Sequence, residues 1–263
     1  MKEMELNNKN YFSKENELKY MGSTQIKSFI KCEKETLAKL NGEFEEEKSK
    51  AMLVSSYIDS VISNELEDFK EENPEIFTKN GELKAEYRLA DSVIEQMKND
   101  PMFMKYLSGE PQVIMTGEIS GVPIKIKIDS YHKDKCIVDL KCMANLDLIW
   151  NEETKQKENF IDSYDYVLQG ALYQEIVRQN IGKQLPFIIA VATKEKYSQR
   201  ALLQIPQESM DSKIEFLKQY LPHIQAVKNK EIEPTSCGKC NYCKSLKKCD
   251  GVYYYDEYFK EGE

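Results

Sequence analysis

The strongest constraint on the fold is the segment 121–143, which reads GVPIKIKIDSYHKDKCIVDLKCM. Its alternating apolar and polar residues predict two short strands joined by the polar turn 130–135, because successive side chains of a strand point to opposite faces. Asp129 ends the first strand, and Asp139 and Lys141 share one face of the second. An antiparallel hairpin of this kind brings the two carboxylates onto neighbouring strands, close enough to share a cation.

Two carboxylates and a lysine are the groups that a metal-dependent nuclease uses to cut a phosphodiester. Mg²⁺ prefers oxygen ligands and keeps several waters, so one or two carboxylates plus a substrate phosphate suffice. The sequence thus predicts Asp129 and Asp139 as metal ligands and Lys141 as the residue that orients the attacking water. A surface hairpin with a solvated polar face has the same pattern. Lys125 and Lys127 on that face are predicted to contact phosphate or solvent.

Composition narrows the class of protein. The chain has 263 residues, 41% hydrophobic and 31% charged, which is typical of one large globular domain. It has no apolar run of about 18 residues, so no membrane span is expected. The N-terminus lacks the apolar core of a signal peptide, which predicts a cytoplasmic protein. The net charge of −8 argues against a protein that coats DNA by bulk attraction, although it does not exclude a DNA enzyme.

Hydrophobic periodicity and turn residues predict an α/β fold with a mixed central β-sheet flanked by helices. We expect a polar leader at 1–22, a main domain with an N-terminal helical part at 23–232, and a cysteine-bearing tail, packed on the same domain, at 233–263. The region 144–160 is predicted to be a mobile segment over the site. The predicted helices are 23–41, 46–69, 82–99, 163–180 and 207–229, and the predicted strands are 112–119, 122–129, 136–141, 185–193 and 200–206.

Three motifs resemble the PD-(D/E)XK (restriction-endonuclease-like) superfamily. They are Asp129 at a strand end, Asp139-Leu140-Lys141 on the next strand, and Gln169 and Tyr173 in YVLQGALYQEIV, the Q-x-x-x-Y signature of the RecB-like branch. The two signature residues are four apart and share one helical face. The resemblance implies that these five residues form the catalytic centre, with Gln169 and Tyr173 facing the active site or the DNA strand beside it.

A closer resemblance, to phage RecE-type (exodeoxyribonuclease VIII-like) exonucleases, lies in three stretches: NYFSKENELKYMGSTQIKSFIKCEKETLAKLNGE, AMLVSSYIDSVI and VIMTGEISGVPIKIKIDSYH. It covers about residues 11–250. It implies an ATP-independent 5′→3′ double-strand DNA exonuclease, dependent on Mg²⁺ or Mn²⁺, that leaves 3′ overhangs for a RecT-type annealing protein. It also implies a ring-shaped homo-oligomer, encoded by a phage or prophage. A structure-specific endonuclease of the same superfamily and a catalytically silent DNA-binding module with a cysteine-bound metal are the alternatives.

The third metal ligand is open between two residues. Relatives often carry a histidine on the early helix, and the matching position in LVSSYIDSV is Asp59. Aspartate is also a suitable ligand for Mg²⁺ or Mn²⁺. Glu118, just before the turn at Gly121, is the second candidate. The alternative interpretation of Glu118 is a glutamate at the edge of the strand that does not contact a metal.

The C-terminal tail carries a cysteine motif. Thiolates spaced C-x2-C-x2-C-x5-C suit a zinc ion or an iron–sulfur cluster; the residues are Cys237, Cys240, Cys243 and Cys249. Some RecB-like nucleases, including the AddB type, hold a 4Fe–4S cluster with one early and three late cysteines. This resemblance implies Cys32 together with the last three cysteines of the motif, and it leaves Cys237 spare. Reduced cysteines in an ordered tail, with pKa values lowered by nearby lysines, are the alternative.

Overall fold

A mixed sheet forms the centre of the protein. The computed structural model describes residues 6–45, 49–152 and 154–255. Its strands are β1 (Glu110–Ile119), β2 (Val122–His132), β3 (Cys136–Met143), β4 (Ile149–Asn151), β5 (Gln156–Glu158), β6 (Phe187–Thr193) and β7 (Arg200–Gln204). Five of them form one sheet in the order β1-β2-β3-β6-β7, in which β3 and β6 are parallel and the other neighbours antiparallel. The predicted fold class is confirmed.

Helices cover both faces of this sheet. They are α1 (Lys14–Lys19), α2 (Ser23–Lys31), α3 (Glu33–Asn41), α4 (Lys50–Ile62), α5 (Leu66–Glu72), α6 (Ala85–Lys98), α7 (Pro101–Leu107), α8 (Phe160–Ser163), α9 (Tyr166–Ile181), α10 (Gln207–Lys228) and α11 (Asn241–Ser245). Ile189 belongs to an apolar layer with α2, α9 and α10, and its neighbour Ala190 to a second layer with α4, α6 and α7. Adjacent residues of a strand point to opposite faces, so the two layers lie on opposite sides. No helix within the described ranges is long and apolar enough to cross a membrane.

Two predicted helices are interrupted. The predicted helix 23–41 is α2 followed by α3, because Cys32 between them has extended backbone angles, φ −164° and ψ 107°. The predicted helix 46–69 is α4 followed by α5, and its residues 46–48 lie outside the described residues. The predicted mobile segment 144–160 contains the β4–β5 hairpin.

Strands β2 and β3 separate where the predicted catalytic residues lie. Their ladder ends at the pair Ser130 and Val138, although the next pair in register would be Asp129 and Asp139. Beyond this point β2 bonds instead to Met21, whose N–H donates to Pro123 at 2.9 Å and whose carbonyl accepts from Lys125 at 3.0 Å. The separation leaves room between the strands for a cleft that both aspartates line.

The segment predicted as a polar leader packs on the sheet in its described part. Residues 6–22 include α1 and bury Tyr11 and Met21. Lys125 of β2 is 1% exposed and binds this segment, since its Nζ lies 2.6 Å from Oε1 of Glu17 and also donates to the carbonyl of Tyr11. Lys125 therefore contacts neither solvent nor an open phosphate site, contrary to the prediction. Its ammonium group instead binds the N-terminal segment to β2.

We expect Lys125→Met to lower the free energy of unfolding by about 2–3 kcal/mol, because the Tyr11 carbonyl and the Glu17 carboxylate lose their donor inside the protein. Lys133→Met, at an exposed turn, is the matched control and should change stability by less than about 0.5 kcal/mol. Urea unfolding measures both. Equal midpoints for the two variants would show that the Lys125 ion pair contributes nothing.

Candidate active site

Asp139 of β3 is buried and held from two sides. It is 3% exposed, and its Oδ1 accepts a hydrogen bond of 2.6 Å from Nε2 of Gln169 on α9. Its Oδ2 lies 2.5 Å from Nζ of Lys141, two residues along the same strand face. Despite this ion contact, no described residue gives Oδ2 a hydrogen bond of normal geometry. A buried carboxylate oxygen in this condition is suited to bind a cation.

Asp129 lies across the gap from Asp139. Its Oδ2 accepts the backbone N–H of Leu140 at 2.9 Å, so the side chain takes the place of the missing ladder bond. Burial, and then the nearby carboxylate of Asp139, raise the pKa of Asp129 to about 7. The predicted pairing of the two carboxylates is thus present, and their mutual repulsion is only partly relieved by the protein.

Asp59 on α4 is the third carboxylate of this cleft. The cleft walls surround it while its side chain stays open to solvent, and burial, followed by the charge of Asp129, raises its pKa. Glu118 does not join this group, so the expected metal contact of Glu118 is not realised. Its backbone exchanges hydrogen bonds of 3.0 and 2.8 Å with Gln179. That residue follows Gln169 by about 15 Å along α9, at the opposite end of the helix.

Gln169 and Tyr173 attach α9 to both strands of the site. Gln169 binds the carboxylate on β3, and the hydroxyl of Tyr173 donates to the carbonyl of Lys127 on β2 at 3.1 Å. Burial, and then the charges of Asp139 and Asp129, raise the pKa of Tyr173 above its ordinary value, so the phenol keeps its proton. Both residues thus face the site, where they position the strands that carry the aspartates.

Sequence reasoning missed Lys27, which lies beside Lys141. Lys27 of α2 donates to the carbonyl of Tyr164 at 2.9 Å, and its Nζ lies 4.7 Å from the ring centre of Tyr166. Nζ of Lys141 lies 5.0 Å from the same ring. Burial, and then the charge of Lys141, lower the pKa of Lys27 to about 8. Nothing in the helical pattern of α2 distinguishes this lysine from a solvated one, since only the tertiary fold brings it to β3.

The donor set fits a divalent cation such as Mg²⁺ or Mn²⁺. Oxygen ligands from one or two carboxylates suffice for such an ion. Asp129 and Asp139 supply them, with Asp59 opening into the same cavity of about 570 Å³. Burial, and then the neighbouring carboxylates, raise the pKa values of Asp59 and Asp129, so their ionised forms are destabilised in the cleft. A cation would stabilise those ionised forms.

A second cluster joins the chain start to the tail. The Sγ atoms of Cys32, Cys237, Cys240 and Cys243 all lie within 4.8 Å of one another. Cys249 is exposed, and its Sγ lies 3.5 Å from the carbonyl of Gly251. The structure therefore does not bring Cys249 to the cluster, whereas Cys237, a member of the predicted motif that the AddB-type resemblance leaves spare, lies in it. The residues preceding α11 fold back on Cys32, whereas Cys249 follows the helix end.

Sulfur atoms of this cluster accept hydrogen bonds, which stabilise the thiolate form that binds a metal. Sγ of Cys237 accepts the N–H groups of Lys239 and Cys240 at 3.4 and 3.3 Å. The hydroxyl of Ser236 donates to Sγ of Cys243 at 3.0 Å, and this bond lowers the pKa of Cys243 to about 6. The Sγ atom of Cys32 lies 3.5 Å from that of Cys243 and 3.8 Å from that of Cys240, and the Sγ atoms of Cys237 and Cys243 lie 3.9 Å apart. A tetrahedral zinc ion with Zn–S bonds of about 2.3 Å separates its sulfurs by about 3.8 Å.

The chain is similar to a known protein family and to a solved structure. The family model described as "PDDEXK-like domain of unknown function (DUF3799)" matches residues 22–246. The chain is also similar to a solved structure from Eubacterium rectale, described as a "putative exonuclease", with 41% sequence identity and a TM-score of 0.91. That similarity covers 97% of this chain and 98% of the other. No curated protein matches.

The raised pKa of Asp129 predicts a pH-dependent stability of the metal-free protein. The unfolded chain ionises this group near its ordinary pKa of about 4, whereas the folded chain keeps the proton to about pH 7, so stability falls as pH rises through this interval. Asparagine cannot ionise. Without divalent cations above pH 7, Asp129→Asn should therefore melt about 2–4 °C higher than the parent chain, equivalent to about 1 kcal/mol.

Thermal melts near pH 4 and pH 8 test this, because the difference between the two chains should narrow at the lower pH. Adding Mg²⁺ at the higher pH should raise the melting temperature of the parent chain more than that of the variant. A difference that is the same at both pH values would contradict the raised pKa.

Proposed function

Since the chain belongs to the family of PDDEXK-like domains DUF3799, we propose that it is a metal-dependent exodeoxyribonuclease that digests linear double-stranded DNA. The observation that carries the proposal is the pairing of Asp129 and Asp139 beside Lys141 at the point where β2 and β3 separate. The likeness to a protein described as a putative exonuclease supports an exonuclease over the endonuclease alternative. The intact acidic pair argues against a catalytically silent module.

Each residue has a role in hydrolysis. Asp129 and Asp139, with Asp59 as a third ligand, would hold a divalent cation, which would supply the charge that lowers the pKa of a water and stabilises the phosphoryl group. Burial acts to lower the pKa of Lys141, but the charges of Asp139 and Asp129 outweigh it and raise that pKa. Lys141 therefore stays protonated. It donates hydrogen bonds to the attacking water or to the phosphate oxygens, where negative charge develops.

Gln169 and Tyr173 act through other residues. The amide of Gln169 fixes the orientation of the Asp139 carboxylate, and the phenol of Tyr173 fixes the backbone of β2 two residues before Asp129. A carboxylate pair must be held within fractions of an ångström to bind one cation in productive geometry. We therefore assign both as positioning residues of the catalytic centre.

The finer proposals rest on the RecE-type resemblance. They are 5′→3′ polarity, independence of ATP, 3′ overhangs for recombination by strand annealing with a RecT-type partner, and origin in a phage or prophage acting in a bacterial cytoplasm. A ring-shaped homo-oligomer would keep the strand from leaving between cuts. Solution mass tests the ring, and a strict monomer would eliminate it.

We expect Asp139→Ala and Lys141→Ala to reduce digestion of linear duplex by about 10²-fold or more, because each removes a group that acts on the developing charge. Glu118→Ala is the matched control, since this carboxylate lies on β1 of the same sheet outside the cleft, and it should keep parental activity. The assay uses 5′- and 3′-labelled linear duplex with and without Mg²⁺, in the absence of ATP.

Three results would contradict the proposal. Full activity of the Asp139 and Lys141 variants would remove these residues from the catalytic centre. Equal cutting of closed circular duplex would favour an endonuclease, because an exonuclease requires an end. Absence of Mg²⁺-dependent cleavage on any DNA, with binding retained, would favour a binding module.

We also propose that the cysteine cluster holds a structural metal that joins the chain start to the tail. The sulfur separations match one tetrahedral ion such as Zn²⁺. The AddB-like arrangement of one early and three late cysteines supports a 4Fe–4S cluster instead. In either case the ligands are the four clustered thiolates, and the two chain ends could not separate while the metal is bound.

Cys237→Ser should therefore lose the bound metal, and Cys249→Ser, the matched control on the same tail, should retain it. Elemental analysis of anaerobically purified protein measures the content. One zinc per chain and no colour identify a zinc site, and absorbance near about 400 nm with about four irons identifies a 4Fe–4S cluster. Loss in Cys249→Ser with retention in Cys237→Ser would overturn the assignment of the fourth ligand.

A further inference from the structure

The cleft of the carboxylates continues beyond them. A second cavity of about 450 Å³ adjoins it and shares three lining residues with it, Ser28, Thr36 and Lys39. Its far wall comes from the tail, at Lys239 and Asn241. The two cavities therefore lie side by side along α2 and α3, between the aspartates and the cysteine cluster, and are together called the groove.

The charge that lines the second cavity is opposite to that of the whole chain. Among the described residues, Lys31, Lys39 and Lys239 line the second cavity, and Glu35 is the one carboxylate in that lining. Glu35 lies 3.6 Å from Lys39, so three lysines face one carboxylate in this described lining. The chain as a whole has a net charge of −8. A positive groove on an acidic protein selects a polyanion that can enter the groove over one that only approaches the surface.

Aromatic surface lines the other end of the groove. Phe12 is 72% exposed at the rim of the first cavity, and its backbone is fixed because the preceding Tyr11 is buried and accepts a hydrogen bond from Lys125. Nζ of Lys127 lies 5.6 Å from the ring centre of Phe12. Exposed aromatic rings next to cations are the platforms on which single-stranded bases stack, without preference for sequence.

We propose that this groove binds a single-stranded segment of the DNA next to the bond being cut. Its phosphates would contact Lys31 and Lys239, and one base would stack on Phe12. The residues from Ser23 to Lys31 span about 12 Å of helix axis, the length of about three to four stacked nucleotides. This inference rests on the proposed nuclease function and adds the path of the substrate strand to it.

The tail thus has a role in substrate binding. Cys237 and Cys240 belong both to the cysteine cluster and to the wall of the second cavity, and Lys239 lies between them. The thiol cluster consequently fixes a phosphate-binding residue at the end of the groove. Residues Lys247 and Lys248 lie farther along the same tail, are exposed, and do not line the groove.

A pair of double variants tests the path. Each of Lys31→Ala/Lys239→Ala and the control Lys247→Ala/Lys248→Ala removes two exposed positive charges. Binding of a fluorescent 20-nucleotide oligo(dT) is measured by anisotropy at several salt concentrations without Mg²⁺. We expect the groove variant to bind about tenfold more weakly, and the slope of log K against log salt to fall by about 1.4, the value for two phosphate contacts on a single strand. The control should change neither quantity.

Phe12→Ala tests the stacking contact separately. It should weaken binding about fivefold or more without changing the salt slope, because stacking releases no counterions, and Phe12→Trp should restore the affinity. Melting temperatures equal to that of the parent chain show that each variant is folded.

The proposed groove would be overturned if both double variants weakened oligo(dT) binding equally, or if neither variant weakened it. A duplex that binds with the same loss in the groove variant, while oligo(dT) is unaffected, would assign the lysines to duplex DNA and also overturn it. The proposed function is judged independently, because digestion of linear duplex by the parent chain with Mg²⁺ tests it whatever path the strand takes.

Discussion

The proximity of two carboxylates at a break in the sheet is the constraint on which the rest of the site depends. Asp129 and Asp139 occupy the register position at which β2 and β3 would otherwise continue to pair. Each buried carboxylate destabilises the ionised form of the other. The protein offsets this only in part, with one backbone N–H, one glutamine amide and one lysine. Charge left unbalanced in a cleft is costly to folding, and it is also what gives the cleft its affinity for a cation.

Both ends of the described chain are fastened around that cleft. Lys125 of the sheet and Lys228 of α10 both bind the N-terminal segment. Nζ of Lys228 donates to the carbonyls of Glu17 and Tyr20 at 2.7 and 2.9 Å. On the other side, Glu33 accepts hydrogen bonds of 2.9 and 2.8 Å from Thr235, next to the cysteine cluster. Buried polar contacts of this kind are costly to break from one side, so they favour one arrangement of the chain. The start and tail of the chain become walls of the substrate groove because these contacts fix them there.

Local sequence predicts those parts of the site that lie on one element or on neighbouring elements. The strand period places Asp139 and Lys141 on one face, and the helical period places Gln169 and Tyr173 one turn apart. Residues whose role depends on distant packing are beyond such reasoning. Spacing alone cannot choose Cys237 over Cys249, because the choice depends on how the tail folds back to Cys32. The same holds for Lys125, whose alternation suggests an exposed face although Glu17, far away in sequence, makes it a buried one. Glu118 and Asp59 differ for the same reason, since α4 crosses the cleft and the end of β1 does not.

The positions of the lysines explain how an acidic chain could bind DNA. A net charge of −8 repels a duplex that approaches from the side, and at physiological salt this repulsion is screened beyond about 8 Å. A strand in the proposed groove would lie within that distance of Lys31, Lys39 and Lys239. The far end of the strand would lie near the carboxylates, which repel a phosphate unless a cation is bound. In the proposed groove, attraction would therefore be confined to DNA that can enter it. Under the proposed function, the protein would bind weakly along intact duplex and more tightly where a strand is free, which is the preference that digestion from an end requires.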